Sequence, residues 1–278
     1  MKRYETIAAF ESALRDRLHA LAANGKTFED LRKQVSFERV LARLQAVAPD
    51  TWLLKGGVAL EYRIARARAT LDIDISTELD LNEMSEVLAK AAAANLNDYF
   101  QIVIGERERP VDEIETYRIH VAVQYANGRT FENLKLDIGF ADPWIGTPLT
   151  LTTPSLLGFA GIPQTTVRVI PAEQHLAEKI HAYTKSYGSR PSSRVKDLVD
   201  IVLLLNSGVD DDQLRAIIPV VFKSRRTHEI PKALPPPPPA WRVPYAKLAL
   251  GLPVPPDLDG GYKLAADELA HVLGALQS

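Results

Sequence analysis

The chain has 278 residues, 46% hydrophobic and 24% charged, enough for one large domain or two modest ones whose core needs no covalent staples. It contains no cysteine, which excludes a disulfide framework, a thiolate zinc site, an iron–sulfur cluster and a cysteine nucleophile. Lys and Arg number 33 against 35 Asp and Glu, so the surface as a whole does not coat nucleic acid or anionic membrane, and any basic patch is local.

From the N-terminus, Met1 to Glu5 leads into a charged amphipathic stretch with no apolar core of a signal peptide. No apolar run approaches the roughly 20 residues of a membrane span, so we expect a cytoplasmic protein with no membrane partner. Ile7, Phe10, Leu14, Leu18 and Leu21 recur at helical spacing up to Asn24-Gly25, and a second helix is expected from Thr27 to about Val47. Together they read as an N-terminal helical hairpin, residues 1–48. A short strand, Trp52-Leu53-Leu54, then breaks at Lys55-Gly56-Gly57 into a helix-like stretch through Ala67, and Leu71 to Ile75 forms a second strand. Helical spacing returns from Leu81 to Leu96, and strands are expected over Phe100–Ile104, Tyr117–Tyr125 and Leu134–Ile138. After a loop-rich segment and a strand at Thr166–Ile170, helices open at Pro171-Ala172-Glu173, at Ser192-Ser193 and near Asp210-Asp211-Asp212.

The class is α+β, a small mixed sheet flanked by helices in residues 49–170, followed by a helical part in 171–224. Residues 225–278 hold most of the 19 prolines, five of them in Pro235–Pro239; they read as an irregular connector with a last helix from about Lys263 to Leu276.

The chemistry concentrates at the paired glycines and the strand after them. A strand that breaks at Gly56-Gly57 and enters a helix exposes backbone N–H groups and a positive dipole end, which suits a polyphosphate. Asp72 and Asp74 are two apart on a strand, so both carboxylates share one face while Leu71, Ile73 and Ile75 point into the core. Such hard oxygen donors, with triphosphate oxygens, suit Mg²⁺. Asp137 is the candidate third ligand for a two-metal arrangement, on the polar face of its strand with Lys135. Taken singly, a glycine pair is an ordinary turn and an Asp-x-Asp strand a solvated edge; the conjunction is what points to metal-assisted phosphoryl chemistry. The six histidines show no zinc spacing, and no serine stands in a nucleophile elbow or Walker loop.

These residues resemble the nucleotidyltransferase superfamily of the DNA polymerase β type. The string Lys55-Gly56-Gly57…Arg63…Arg68-x-Thr70-x-Asp72-x-Asp74 resembles its AbiEii/AbiGii toxin branch, which includes MenT-like proteins. Leu136-Asp137-Ile138-Gly139-Phe140-Ala141-Asp142-Pro143, Ala177-Glu178-Lys179-Ile180-His181-Ala182 and Ser193-Arg194-Val195-Lys196-Asp197-Leu198-Val199-Asp200 follow in the family's order. The resemblance spans roughly residues 50 to 205. It implies a polymerase β-like core that moves a nucleoside monophosphate from an NTP to an acceptor hydroxyl with Mg²⁺ or Mn²⁺, and releases pyrophosphate.

In that reading Asp72, Asp74 and Asp137 hold metal; Lys55, Gly56, Gly57, Arg68, Glu178 and Asp197 meet the nucleotide; Lys179 and Asp200 act on nucleotide and acceptor. On spacing alone Asp197 and Asp200 form an ion-pair cluster with Arg194 and Lys196. Asp200 is favoured over Asp197 for the family's aspartate because it begins the apolar run Ile201 to Leu204. Arg63, Arg66 and Arg68 cannot all face one side, so at least one is solvated. The groupings Arg190-Arg194-Lys196 and Lys223-Arg225-Arg226-His228 could meet an RNA backbone or be solvated faces. The resemblance further implies an RNA acceptor such as the tRNA 3′ end, and a cognate antitoxin. Two alternatives stand beside it: nucleotidylation of a protein or small molecule, and a non-catalytic RNA-binding relic.

Overall fold

Alternation of apolar and polar side chains sets the sheet and capping residues set the helices. The computed structural model describes residues 4–22, 26–64, 66–109, 116–140, 143–186 and 194–276. The expected features at Asn24-Gly25, Ala141-Asp142, Arg190 and Ser192-Ser193 lie outside the described residues. The chain divides into two compact units: Met1–Arg63, Ala69–Ala141 and Pro148–Val169 form the first, and Ile64–Arg68, Asp142–Thr147 and Ile170–Ser278 the second.

In the first unit, α1 (Ile7–Ala22) buries Phe10, Leu14 and Leu18 at helical spacing. Helix α2 (Phe28–Val47) starts at a capping box in which Thr27 and Asp30 satisfy each other's backbone N–H groups. Strand β1 (Trp52–Lys55) leads into α3 (Gly56–Arg63) and β2 (Asp72–Thr77). Helix α4 (Leu81–Ala93) opens on a second capping box, Asp80 with Glu83. Strands β3 (Phe100–Glu108), β4 (Thr116–Tyr125), β5 (Thr130–Gly139), β6 (Leu149–Thr152) and β7 (Thr166–Val169) complete a seven-stranded mixed sheet of order β3-β4-β5-β2-β1-β7-β6. The α+β class is therefore as expected. β2 pairs parallel with β5 and β1 parallel with β7, while the other ladders are antiparallel.

Several boundaries differ from expectation. The helix after the paired glycines ends at Arg63 rather than Ala67. Leu71 precedes β2 and is 64% exposed, so only Ile73 and Ile75 of the expected apolar set reach the core. The edge strand β6, Leu-Thr-Leu-Thr, is mostly exposed and carries no strong apolar alternation. β3 continues past Ile104 through polar residues after a bulge, as a sheet-edge strand can.

Glu38, Arg39, Arg43 and Asp98 form a buried network of charged side chains in this unit. Arg43 is fully buried and grips Asp98 with both terminal nitrogens at 2.9 Å. Arg39 reaches Asp98 at 2.9 Å and Glu38 at 3.0 Å. Asn97 and Tyr99 adopt positive φ on either side of Asp98. Burial would raise the Asp98 carboxyl, but Arg43 and Arg39 outweigh it and hold it below its ordinary value.

The second unit is built from α5 (Ala172–Thr184), α6 (Val195–Asn206), α7 (Asp211–Arg225), α8 (Arg242–Ala249) and α9 (Leu258–Ala275). Its proline-rich segment is not wholly irregular, because α8 takes Pro244 in its first turn, where the missing N–H costs nothing. α9 begins at Leu258 on an Asp257 cap, ahead of the expected Lys263. A Cβ at Gly261 would overlap the Tyr245 ring, so the glycine inside this helix serves packing.

Pro238 lies at φ −61° and ψ 138°, in the polyproline II region. Leu234 is buried and Pro237 half-buried while Pro235, Pro236, Pro238 and Pro239 are exposed. Tyr262 donates its hydroxyl to the Leu234 carbonyl and Tyr183 to that of Pro235, and the Tyr183 ring meets Trp241 edge-on.

Asp98→Ala, which strands two buried guanidinium groups, is expected to cost about 3–5 kcal/mol of unfolding free energy in a urea titration; a loss below about 1 kcal/mol would refute a structural role for this network.

Candidate active site

The β1–α3 turn is the first element of the site. Gly56 has φ +64°, a left-handed conformation that L side chains rarely adopt, and a Cβ there would fall on the Asp74 carboxylate. A Cβ on Gly57 would overlap the Thr70 side chain. The turn therefore has no room for side chains, and β2 and the segment before it press directly against its backbone. The N-terminal N–H groups of α3 and their dipole give this turn the character of an anion cradle.

Asp72 and Asp74 are half-buried on one face of β2, with Ile73 and Ile75 on the other face in the core. The ladders align a row of charge across four strands: Lys55 is the Cα partner of Asp74, Asp74 of Asp137, and Asp137 of Arg118. One pleat away, Asp72 partners Lys135 and Lys135 partners His120. Asp72 and Asp74 fit a Mg²⁺ or Mn²⁺ ion, since both offer hard oxygens and Asp74 rests on a cradle that a Cβ would fill. Asp137 is placed differently. Its carboxylate is 6% exposed and accepts from Arg118 Nε at 2.8 Å and Arg118 Nη2 at 2.6 Å. Among the described residues no three His, Asp or Glu side chains are gathered as a metal cage.

Glu61, on α3, fastens the turn to the strand. Its Oε1 accepts from the Thr70 amide at 2.9 Å and its Oε2 from the Gln34 side chain, with Lys26 3.8 Å away. Thr70 is thereby held against Gly57. Neither Glu61 nor Arg118 was singled out from sequence, because each acts through a partner that spacing does not reveal.

The second unit holds a separate cluster. Arg68 donates to both oxygens of Asp200, each at 2.7 Å. Lys179 lies 2.8 Å from Asp200 and 2.9 Å from Asp197, and Arg194 reaches Asp197 at 3.5 Å. Asp200 is fully buried and Asp197 nearly so. Both aspartates thus hold Lys179, but only Asp200 also holds Arg68. Burial alone would lower the Lys179 ammonium; Asp200 and Asp197 outweigh it and hold the group above its ordinary value. Burial would likewise raise Asp200, but Lys179 and Arg68 hold it far below the carboxylate range. At neutral pH these ion pairs favour the ammonium form of Lys179 and the carboxylate form of Asp200.

Of the other expected residues, Glu178 accepts from Gln174 at 3.1 Å and pairs with Arg225 at 3.5 Å, while Gln174 also holds the Ile145 amide and Pro143 carbonyl. Lys55 is half-buried at the end of β1. Arg66 and Lys196 are exposed, which makes Arg66 a solvated member of the arginine trio.

The family of nucleotidyl transferase AbiEii toxins of type IV toxin–antitoxin systems matches residues 39–267. This chain belongs to the AbiEii nucleotidyltransferase toxin family. MenT4, a nucleotidyltransferase toxin from Mycobacterium tuberculosis, has a similar fold at 16% identity and a TM-score of 0.56, covering 95% of this chain and 99% of that one. JHP933 from Helicobacter pylori aligns at 15% identity and a TM-score of 0.47, over 90% of this chain and 94% of that one. No curated protein sequence matches the chain.

For this AbiEii family member, Glu61→Ala removes the acceptor of two hydrogen bonds. The expected result is a loss of about 1–3 kcal/mol in urea unfolding with faster hydrogen exchange at the Thr70 amide, and an unchanged Thr70 amide would contradict the anchoring.

The ion pairs of the second unit set a pH window. Asp200 has a folded pKa below its unfolded value of about 3.9, so its stabilisation is present above that pH and fades as pH falls through the folded pKa. Lys179 is raised above about 10.4, so its share is present below that pH and fades as pH rises. Urea midpoints of the wild type should drop below about pH 4 more steeply than those of Asp200→Asn; parallel curves would show that Asp200 does not carry the dependence.

Proposed function

We propose that this nucleotidyltransferase moves a nucleoside monophosphate from an NTP to the 3′ end of a tRNA, with Mg²⁺ or Mn²⁺ held by Asp72 and Asp74. The observation that carries the reading is the Asp74 carboxylate lying against the left-handed Gly56, with Asp72 on the same face: an anion cradle and two hard oxygen ligands meet at one turn. When bound, the divalent cation would neutralise phosphate oxygens and favour departure of pyrophosphate. The Gly56-Gly57 turn receives phosphate oxygens through its backbone N–H groups, and Lys55 adds positive charge at the end of β1. The acceptor hydroxyl oxygen attacks the α-phosphorus, forming a new P–O bond as the bond to the oxygen bridging to the β-phosphate breaks; pyrophosphate leaves and the hydroxyl proton passes to solvent water.

Lys179 acts on the nucleotide as a fixed cation suited to phosphate. Arg68 and Asp197 belong to the same nucleotide-binding group, with Glu178 beside it. Asp200 orders Arg68 and Lys179 through its two ion pairs. The two ion pairs hold its pKa below the ordinary carboxylate value and make it a weak proton acceptor, which supports a role in orientation.

Membership of a type IV toxin–antitoxin family supports a cognate antitoxin as partner, while the tRNA acceptor rests on the resemblance to MenT-like toxins. A cytoplasmic location is consistent with the described residues, among which no helix is long and apolar enough to cross a membrane.

The experiment is incubation of the protein with each radiolabelled NTP, Mg²⁺ and total tRNA, beside Asp72→Ala. Label should enter a ribonuclease-sensitive, protease-resistant band, and the variant should lose at least about 10²-fold in rate. Label in a protease-sensitive band would move the acceptor to protein. Equal transfer by the variant would overturn the assignment of Asp72.

A further inference from the structure

Asp137 sits in the row that a two-cation arrangement would use, yet both its oxygens are occupied by one side chain. Arg118 Nε lies 2.8 Å from Oδ1 and Arg118 Nη2 2.6 Å from Oδ2. We propose that Asp137 is the positioning residue for Arg118 rather than a metal ligand, and that Arg118 supplies the fixed positive charge a second cation would bring, so that the site takes one divalent ion. The inference rests on the reading of Asp72 and Asp74 as the ligands of that ion.

Three features carry it. The contact is a two-point fork between planar groups, the strongest and most directional form of ion pair. It is built into the sheet: Arg118 and Asp137 are Cα partners on β4 and β5, and Asp137 partners Asp74 on β2. Two strand spacings of about 4.8 Å place the Arg118 backbone roughly 10 Å from that of Asp74, so a side chain as long as arginine can bring its charge to a phosphate bound at the row. Finally, the Asp137 side chain is only 9% exposed against 25% for Arg118. A cation that displaced the guanidinium would have to replace a charge-assisted pair at a buried carboxylate, an unfavourable exchange for Mg²⁺, which gives up its own water reluctantly.

The chemical consequence concerns the nucleotide. A guanidinium stays charged at every working pH and presents its donors in a rigid array. It suits the oxygens of a triphosphate and the pyrophosphate that leaves. The row Lys55, Asp74, Asp137, Arg118 then reads as one metal-binding carboxylate and one arginine-holding carboxylate, bracketed by fixed cations.

The test counts ions and follows kinetics on the full chain. Mn²⁺ bound in the presence of a non-hydrolysable NTP analogue is measured by calorimetry and by the electron paramagnetic resonance of free Mn²⁺. Wild type and Asp137→Asn should each bind one Mn²⁺ per chain, and Asp72→Ala should bind none. Two ions in the wild type falling to one in Asp137→Asn overturn the inference and leave Asp72 and Asp74 as ligands. Full binding by Asp72→Ala overturns both.

In steady-state assays Arg118→Gln and Asp137→Asn should each lower kcat, by about 10²-fold for Arg118→Gln. The double variant should be no slower than Arg118→Gln, and Arg118→Lys should recover part of the loss. A pair that only braces the sheet would lower the melting temperature and leave kcat of the folded protein unchanged, and that result would refute the proposal.

Discussion

The candidate site depends on one close approach, that of the Asp74 carboxylate to the backbone of Gly56. A side chain on β2 occupies the space that any Cβ at position 56 would need, at a residue whose backbone is already left-handed. The β1–β2 register must therefore bring Lys55 opposite Asp74, and α3 must start immediately after β1. Glu61 completes the arrangement from the other end of α3 by holding Thr70 against Gly57. The missing Cβ permits the close approach, and the β1–β2 ladder together with the Glu61–Thr70 hydrogen bond holds the cradle and the carboxylates together.

Both units then use buried ion pairs to immobilise charged side chains. In the first, Asp98 joins Arg39 and Arg43 beneath the helical hairpin; in the second, Asp200 joins Arg68 and Lys179. Burying charge in this way contributes little net stability compared with apolar packing, but breaking a pair is costly, so each arrangement is single-valued. It also explains how a chain of formal charge −2 can carry strong local fields. Most of the buried charge cancels pairwise within a few ångströms, and the balance of the whole sequence does not register it.

The features legible in the sequence were those that repeat with the period of an element or sit beside it in the chain. The helix start at Thr27 and the alternation through Tyr125 marked elements within a few residues, and the two-residue spacing of Asp72 and Asp74 fixed their common face. The glycine pair and the nearby carboxylates belonged together for the same local reason. What spacing could not show were partnerships across the chain: Arg68 and Asp200 are 132 positions apart, and Arg118 meets Asp137 only because β4 and β5 pair in one register. Glu38, Arg39 and Arg43 look like a solvated helix face and are among the most buried side chains of α2. α8 hid within the proline-rich segment, since Pro244 in its first turn stands among many prolines that read as a connector.

The proline run behaves mechanically as a strut. Prolines offer no N–H, so the segment can be fastened only through its carbonyls, and Tyr262 and Tyr183 do this at Leu234 and Pro235. A polyproline II helix turns about 120° and advances about 3.1 Å with each residue. Its phase is visible in the buried Leu234 and half-buried Pro237, one turn apart. Pro238 lies in the polyproline II region, and Pro239 opens the 3₁₀ turn that carries Trp241 to the Tyr183 ring. The proline run is thus a fastened part of the second unit rather than a bias of composition.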